Sequence, residues 1–417
     1  MKPWKIVAVF CIFISLFFIQ SVYHWQTQRQ TNVWAFVAVV LFAFMIIAGT
    51  VWMLQNRGVI SIEISRNLVL LASAGVMALF LCELVLRNFA SNLASYGERN
   101  GSDGYNSSYW CCLSKCKACD NGYYYMNPPN GFEDFNKPEF HYMHTYNSLG
   151  LRDKEFSESK KANEYRIMGI GDSFTEGVGT AQDSTWLKQL EYRLNSKAAD
   201  TIYTTLNCGT HGNDLIREYD FLENCLLKYK PDLLILNLNS TDINDILSRG
   251  VYAKPDANGN ILNPAGPWYE FLFGASYLAR FVFLNLMHYT WMLYPEKDQH
   301  KVEDYILSKM TEKLYHFQAL ADKHRFKFLL ITFPLENELA DGQNILARLK
   351  IPTNIRHLSL YPYLNDSIEN SKEKAKRFYY PIDGHFTTYG YGVQAEYMYR
   401  NYFRAEELTK TPYNPVD

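Results

Sequence analysis

Three long apolar stretches within the first 90 residues are the feature that most constrains how this chain can fold. They are Ile6–Val22, Val33–Leu54 and Leu68–Leu86, and each is close to the ~20 residues that cross a bilayer as a helix. The second stretch contains no charged residue, which favours a membrane helix over a buried core helix. The first also matches the apolar part of a signal peptide, but no small-residue cleavage pattern follows it. The sequence therefore predicts three retained transmembrane helices.

Basic residues beside these stretches predict the orientation of the chain in the membrane. Four lie at one end of the spans and two at the other, namely Lys2, Lys5, Arg57 and Arg66 against Arg29 and Arg87. We therefore expect a cytoplasmic N-terminus. After three crossings, the large C-terminal part of this multi-pass cell-membrane protein would lie outside the cytoplasm.

Changes in composition divide the chain into four predicted parts. Residues 1–90 form the membrane anchor, 91–160 a cysteine-containing linker or small subdomain, 161–405 the main domain and 406–417 a tail. The net charge of −2 and the lack of a long basic run give no reason to expect a nucleic-acid partner.

The eight cysteines are of two kinds. Four crowd together after the membrane region, and they would form disulfides in an oxidising compartment or a zinc site in a reducing one: Cys111, Cys112, Cys116 and Cys119. The other four lie in apolar segments and are predicted to be packing residues: Cys11, Cys82, Cys208 and Cys225.

The main domain alternates short apolar runs with helical patterns. Strands are predicted at Arg166–Ile170, Tyr203–Asn207, Leu233–Leu238 and Phe328–Thr332. Helices are predicted near 183–197, 213–229, 302–324, 366–377 and 388–403. This alternation predicts an α/β domain with a parallel sheet covered by helices on both faces. An aromatic insertion, Trp268–Pro295, is interpreted as a packed helix of the domain, a membrane-surface element or a lid.

The run Gly171-Asp172-Ser173-Phe174-Thr175-Glu176-Gly177 stands between the first strand and the first helix of this domain. A serine at the tip of such a turn has an exposed hydroxyl and backbone N–H groups nearby, as a nucleophile requires. Near the C-terminus, Asp383-Gly384-His385 offers a base for that serine and a carboxylate to orient the base. A glycine loop, 207–214, follows the second strand and is able to present a backbone N–H to an oxyanion.

These three blocks, in this order over about residues 165–403, resemble the SGNH (GDSL-type) hydrolase superfamily. The resemblance implies a flavodoxin-like three-layer α/β domain, here preceded by three transmembrane helices. It also implies that Ser173 is the nucleophile, Gly212 an oxyanion-hole glycine, His385 the base and Asp383 its orienting acid. The family comprises esterases, lipases, carbohydrate deacetylases and some acyltransferases.

Two features depart from the family pattern. Where the family has Gly-x-Asn-Asp, this chain has Asn239-Ser240-Thr241-Asp242, so Thr241 occupies the position of an oxyanion-binding asparagine. Thr241 itself, Asn239 or Asn244 are candidates to replace that donor. The usual Asp-x-x-His is shortened to Asp-x-His, which leaves a backbone carbonyl as an alternative partner for His385.

These observations predict a membrane-anchored serine esterase or deacylase that acts on O-acyl esters of envelope carbohydrate or lipid and needs no cofactor or metal. The acyl group passes through Ser173 to water or, alternatively, to a glycan acceptor, in which case a membrane acyltransferase is an expected partner. A second alternative, motivated by Thr241, is a catalytically weak relative that binds glycan or supports envelope assembly.

Overall fold

The computed structural model describes residues 33–89, 126–248, 269–290, 293–368 and 375–404, with short pieces at 19, 30–31, 105–106, 110–112, 114–115, 123–124 and 260–262. Seven strands are labelled here: β1 (Phe132–Asn136), β2 (His141–Thr145), β3 (Glu164–Gly171), β4 (Ile202–Gly209), β5 (Leu233–Leu238), β6 (Lys327–Thr332) and β7 (Arg356–Ser359).

The helices in chain order are α1 (Val33–Asn56), α2 (Ile62–Phe89), α3 (Ser173–Glu176), α4 (Trp186–Asn195), α5 (Leu215–Phe221), α6 (Thr241–Ser248), α7 (Glu270–Ala275), α8 (Tyr277–Phe281), α9 (Gln299–His324), α10 (Glu336–Ala340), α11 (Tyr361–Ile368) and α12 (Thr388–Met398). Wider π-helical turns continue α5, α8 and α12, over Leu222–Leu226, Val282–Leu286 and Tyr399–Phe403.

A five-stranded parallel sheet in the order β7-β6-β5-β3-β4 forms the centre of the main domain. Side chains of alternate residues enter two separate apolar cores. Met168, Leu234 and Leu330 belong to the core on one face, whereas Ile167 and Ile235 belong to the core on the other. Covering of both faces agrees with the largely apolar sequences of β5 and β6, and the predicted α/β class with a parallel sheet is confirmed.

The register brings the carboxyl ends of four strands to one edge of the sheet. Gly171 at the end of β3 pairs with Gly209 on one side and Asn237 on the other, and Leu238 pairs with Thr332. The chain leaves β3 for β4 on one side and then returns to β5 on the other. The edge beside β3 is therefore the switch point where ligands bind in open α/β sheets.

Local structure differs from the sequence prediction in three places. Strand β7 was not predicted, because its residues Arg-His-Leu-Ser form no apolar run. Residues 131–160 include an antiparallel hairpin, β1–β2, within the region expected to be a linker or small subdomain. The helix expected near 366–377 instead spans Tyr361–Ile368 among the described residues.

Two helices in the described part of the chain are long and apolar enough to cross a membrane, namely α1 from Phe36 onward and α2. The first predicted span, Ile6–Val22, lies outside the described residues apart from Ile19. Helices α1 and α2 form one compact unit with the described residues of 262–300, whereas the sheet belongs to a second unit. The insertion therefore packs with the apolar helices and not as a helix of the α/β domain.

Cys208 and Cys225, both predicted to be packing residues, differ in the structure. Cys208 is buried with a free thiol, and burial raises the pKa of that thiol. Cys225 is also buried, but it is disulfide-bonded, so its interpretation as a plain packing residue was wrong. The side chains of the four clustered cysteines lie outside the described residues, and the choice between disulfides and zinc stays a prediction.

Candidate active site

Ser173 stands at the sharp turn between β3 and α3. Asp172 caps the helix in an extended conformation, and its carboxylate accepts a hydrogen bond from the Phe174 N–H at 2.9 Å. A Cβ at Gly171 would lie only 2.3 Å from the hydroxyl oxygen of Thr175, and Gly177 ends the helix at a φ of 91°. Glycine is therefore required on both sides of the turn that presents Ser173.

Ser173 and His385 meet although 212 residues separate them. The distance from Ser173 Oγ to His385 Nε2 is 2.7 Å, and His385 Nδ1 lies 2.5 Å from Asp383 Oδ1. The histidine is thus hydrogen-bonded on both ring nitrogens, by the hydroxyl on one side and the carboxylate on the other. This geometry lets the imidazole accept the serine proton while Asp383 fixes its tautomer.

The loop that carries His385 is held by the β1–β2 hairpin. The Glu139 carboxylate accepts hydrogen bonds from the backbone N–H groups of Ile382 and Asp383, at 2.9 and 2.8 Å. The Phe174 ring lies 4.8 Å from the imidazole between centroids. Glu139 was missed by sequence reasoning, because nothing local links a hairpin carboxylate to a loop 243 residues away.

Electrostatics favour an ionised Asp383. Burial alone would raise the pKa of this carboxyl group, but the hydrogen bond and positive charge of His385 lower it below its ordinary value. Asp383 is therefore available as an acceptor at any pH near neutrality.

Two buried carboxyl groups, Asp172 and Asp242, lie beneath the serine turn. Burial raises the pKa of both, because the charged form of each loses its hydration. The neighbouring negative charge of Asp172 raises the pKa of Asp242 further. Loss of a proton from one group consequently disfavours its loss from the other.

Of the three predicted oxyanion-hole residues, two line the cavity beside Ser173 and one does not. Gly212, with a φ of 69°, and Thr241 line the cavity beside Ser173. Asn239 is fully buried, and its amide donates to Asp172 at 2.7 Å. The Thr241 hydroxyl lies 2.7 Å from Asn239 Oδ1 and 3.3 Å from Asp172 Oδ2. The hydroxyl and the Asn239 amide are thus turned towards Asp172 and each other.

The cavity in front of Ser173 has a volume of about 400 Å³. Residues that sequence reasoning did not single out form one wall, namely Leu335, Glu336 and Asn337 in the loop after β6 and the start of α10. Their place at the carboxyl end of a predicted parallel strand was the one available signal.

A buried carboxylate, Glu176, ties the serine helix to the glycine loop. It accepts hydrogen bonds from the His211 backbone N–H at 2.6 Å and from the His144 ring at 2.8 Å. Tyr146 and Asn127 also contact it, both at 3.3 Å. Burial would raise the pKa of Glu176, but the hydrogen bonds and charges of His144 and His211 lower it far below its ordinary value. His211 therefore acts as an anchor beside Gly212.

Substituting Glu176 by glutamine is expected to destabilise the protein by roughly 3 kcal/mol at pH 7, because an acceptor among buried donors is lost. Since the folded-state pKa is lowered, the carboxylate's contribution is present above the ordinary value of 4.5 and declines as the pH falls below it. Urea unfolding at pH 7 and pH 3.5 should therefore show a smaller difference between the two proteins at the lower pH. Asp134→Asn is a matched control, since Asp134 pairs with His141 at the surface. An equal loss for both variants would contradict the anchoring role.

A serine, a histidine and a carboxylate in a hydrogen-bonded line at the carboxyl edge of a parallel α/β sheet form the arrangement used by serine-dependent hydrolases. No family model and no curated protein sequence matches the chain.

Several solved structures are similar to this chain. One is a two-domain esterase active on acetylated mannans, at 14% identity and a TM-score of 0.35, over 61% of this chain and 53% of the esterase. Another is an acetyl xylan esterase, at 18% identity and a TM-score of 0.35, over 56% of this chain and 98% of the esterase. A lipase/acylhydrolase from Enterococcus faecalis is similar at 11% identity and a TM-score of 0.32, over 57% of this chain and 94% of that protein. The chain spans about half of the mannan esterase. These neighbours are esterases and acylhydrolases by name.

Proposed function

We propose that this protein is a membrane-anchored serine esterase of the SGNH type that removes O-acyl groups from envelope carbohydrate or lipid. The observation that carries the proposal is the continuous line from Ser173 Oγ through the His385 ring to Asp383, with distances of 2.7 and 2.5 Å. The cavity beside Ser173, at about 400 Å³, has room for a small acyl ester.

In the proposed reaction, Ser173 Oγ attacks the ester carbonyl carbon while its proton passes to His385 Nε2. The tetrahedral intermediate collapses, the bond to the alcohol breaks, and His385 returns the proton to the leaving alkoxide. Water then attacks the acyl-enzyme with the same histidine as base, which releases the acid and restores Ser173. The backbone N–H groups of Ser173 and Gly212 are the proposed donors to the oxyanion.

A fluorophosphonate probe and a chromogenic acetyl ester test this proposal on the full chain in detergent. We expect covalent labelling at Ser173 and hydrolysis of the ester. Both should disappear in Ser173→Ala, with a rate loss of about 10⁶-fold. A folded wild-type protein that neither reacts with the probe nor hydrolyses the ester would refute the hydrolase.

A catalytically weak, glycan-binding protein is a second candidate, and one observation favours it. Thr241 and Asn239 direct their side-chain donors to Asp172 and to each other, so neither aims at the cavity. The fluorophosphonate experiment separates the two candidates, since the binding protein would remain unlabelled.

Substituting Thr241 by asparagine is expected to raise the rate of ester hydrolysis by roughly 10-fold or more, since a full oxyanion donor is worth about 10²–10³. Thr241→Val is the control, and it should change kcat by less than about 3-fold if the hydroxyl serves Asn239 and Asp172 in place of the oxyanion. Steady-state kinetics on the acetyl ester measure both. A loss of about 10²-fold in Thr241→Val would show instead that the hydroxyl turns towards the oxyanion during the reaction.

The proposed location is the cell membrane, with three spans and the α/β domain outside the cytoplasm. The apolar helices α1 and α2 support the anchoring, and the disulfide at Cys225 supports an oxidising compartment. An epitope fused after Asp417 should react with antibody on intact cells. A reaction only after lysis would contradict this orientation.

A further inference from the structure

The insertion between β5 and β6 packs on the two apolar helices. Phe273, Ala275 and Leu293 from the insertion share one buried cluster with Phe36 and Val40 of α1. Val76 and Phe80 of α2 and Leu272, Phe283 and Leu284 of the insertion pack against the same cluster. The contacts therefore involve the first two turns of α1 and the middle of α2.

The position of this cluster along α2 sets its depth in a membrane. Helix α2 has 28 residues, which is about 42 Å of length against ~30 Å of hydrocarbon. Phe80 and Val76 lie about 14 and 20 Å from the Phe89 end at 1.5 Å per residue. The helix is longer than the hydrocarbon by roughly 12 Å. If all of this excess length extended beyond the membrane at the Phe89 end, Phe80 and Val76 would still lie inside the hydrocarbon. Phe273, Ala275 and Leu293 of the insertion belong to the same cluster, which places them near that depth.

Charged groups at this junction have partners, as a site in low dielectric requires. The Glu83 carboxylate of α2 accepts hydrogen bonds from the Ser276 hydroxyl, the Tyr277 and Leu278 N–H groups and the Arg87 guanidinium, at 2.7 to 3.0 Å. The Arg280 guanidinium donates to backbone carbonyls of α7, and both guanidinium groups lie within 4.6 Å of the Tyr277 ring centroid. Glu83 thereby fastens the start of α8 to α2.

The uncovered face of the insertion, residues 285–288, carries two large apolar side chains beside the polar Asn285 and His288. Leu286 is 63% exposed and Met287 47%, in a segment, 277–287, whose sequence is Tyr-Leu-Ala-Arg-Phe-Val-Phe-Leu-Asn-Leu-Met. From these contacts we propose that residues 269–290 of the insertion are embedded in the lipid bilayer, in the leaflet at the Phe89 end of α2. The partner of its uncovered face is lipid hydrocarbon, continuous with the lipid around α1 and α2. This inference rests on the membrane anchoring proposed above and is independent of the esterase chemistry.

Photolabelling of the full chain in phosphatidylethanolamine–phosphatidylglycerol vesicles tests the inference. A diazirine that partitions into hydrocarbon is activated, and labelled peptides are quantified by mass spectrometry. We expect the 277–287 peptide to be labelled within about 3-fold of α1. Helix α9, which packs on the core of the α/β domain, should be labelled at least 10-fold less. Labelling of 277–287 no greater than that of α9 would overturn the inference while leaving the anchoring intact. If α1 and α2 also remained unlabelled, the anchoring would fail as well, whereas the fluorophosphonate result would stand.

A pair of surface variants provides a second measurement. Leu286→Glu places a charge on the uncovered face without disturbing buried contacts, and it should lower labelling of 277–287 at least 3-fold with α1 unchanged. Tyr305→Glu is the matched control, because Tyr305 is 51% exposed on α9, and it should alter neither peptide. Equal labelling of 277–287 in Leu286→Glu and wild type would count against a bilayer location.

Discussion

Replacing His385 by alanine is expected to reduce kcat for a small acetyl ester by about 10⁴-fold or more. The reason is that, within the described part of the chain, the His385 imidazole is the base in hydrogen-bond contact with Ser173, at 2.7 Å from its Oγ. Initial rates at pH 7 measure the effect, and fluorophosphonate labelling of Ser173 should fall in parallel.

His141 provides the matched control for this variant. It is an exposed histidine paired with Asp134 on the β1–β2 hairpin, so His141→Ala should leave the rate within about 2-fold. Thermal unfolding of both variants checks that neither loss reflects a failure to fold. If His385→Ala retained more than a tenth of the wild-type rate in a folded protein, the assignment of the general base would be wrong.

Changing Asp383 to asparagine is expected to lower kcat by about 10³–10⁴-fold, comparable to the same change in a serine protease triad. The asparagine amide would donate to Nδ1, which leaves the proton on Nε2, where it opposes proton transfer from Ser173. Because the pKa of Asp383 is lowered, the carboxylate stays charged through the working range, and the deficit should persist from pH 5 to pH 8. Rate measurements across that range provide the test.

Glu139→Gln separates the orienting role of Asp383 from the positioning of its loop. Glu139 accepts hydrogen bonds from the backbone N–H groups of Ile382 and Asp383, and it does not contact the imidazole. Because it only positions the loop, its substitution should reduce kcat by roughly 10-fold. Full activity in Asp383→Asn would contradict the role of Asp383. A backbone carbonyl, the alternative partner of His385 suggested by the shortened Asp-x-His spacing, would then orient the imidazole.

Sequence reasoning succeeded where a signal was local and repeated. Strand Leu233–Leu238 was predicted at its observed bounds, because a short run with five apolar residues in six between polar turns is typical of a buried strand. Ser173 and His385, taken from motifs far apart in the sequence, lie 2.7 Å apart between Oγ and Nε2, and their catalytic roles stay predictions. Strand β7 had no comparable apolar run.

Side-chain direction was beyond the reach of the sequence. Asn239 and Thr241 carry suitable donors at the expected turn, yet their hydrogen bonds are directed to Asp172 and to each other, which depends on rotamers and buried charge. Glu139 and the wall at Leu335–Asn337 likewise reach the site through tertiary contacts between segments far apart in the chain.

The attachment of Glu176 to the glycine loop has a consequence for substrate choice. Glu176 links the helix that begins at Ser173 to the backbone of the glycine loop, so these two parts of the site are held rigidly together. In the proposed esterase, the cavity wall at Leu335–Asn337 lacks this link and is the part expected to adapt to acyl groups of different size. Substitutions there should therefore change acyl preference more than substitutions that keep the Glu176 contacts.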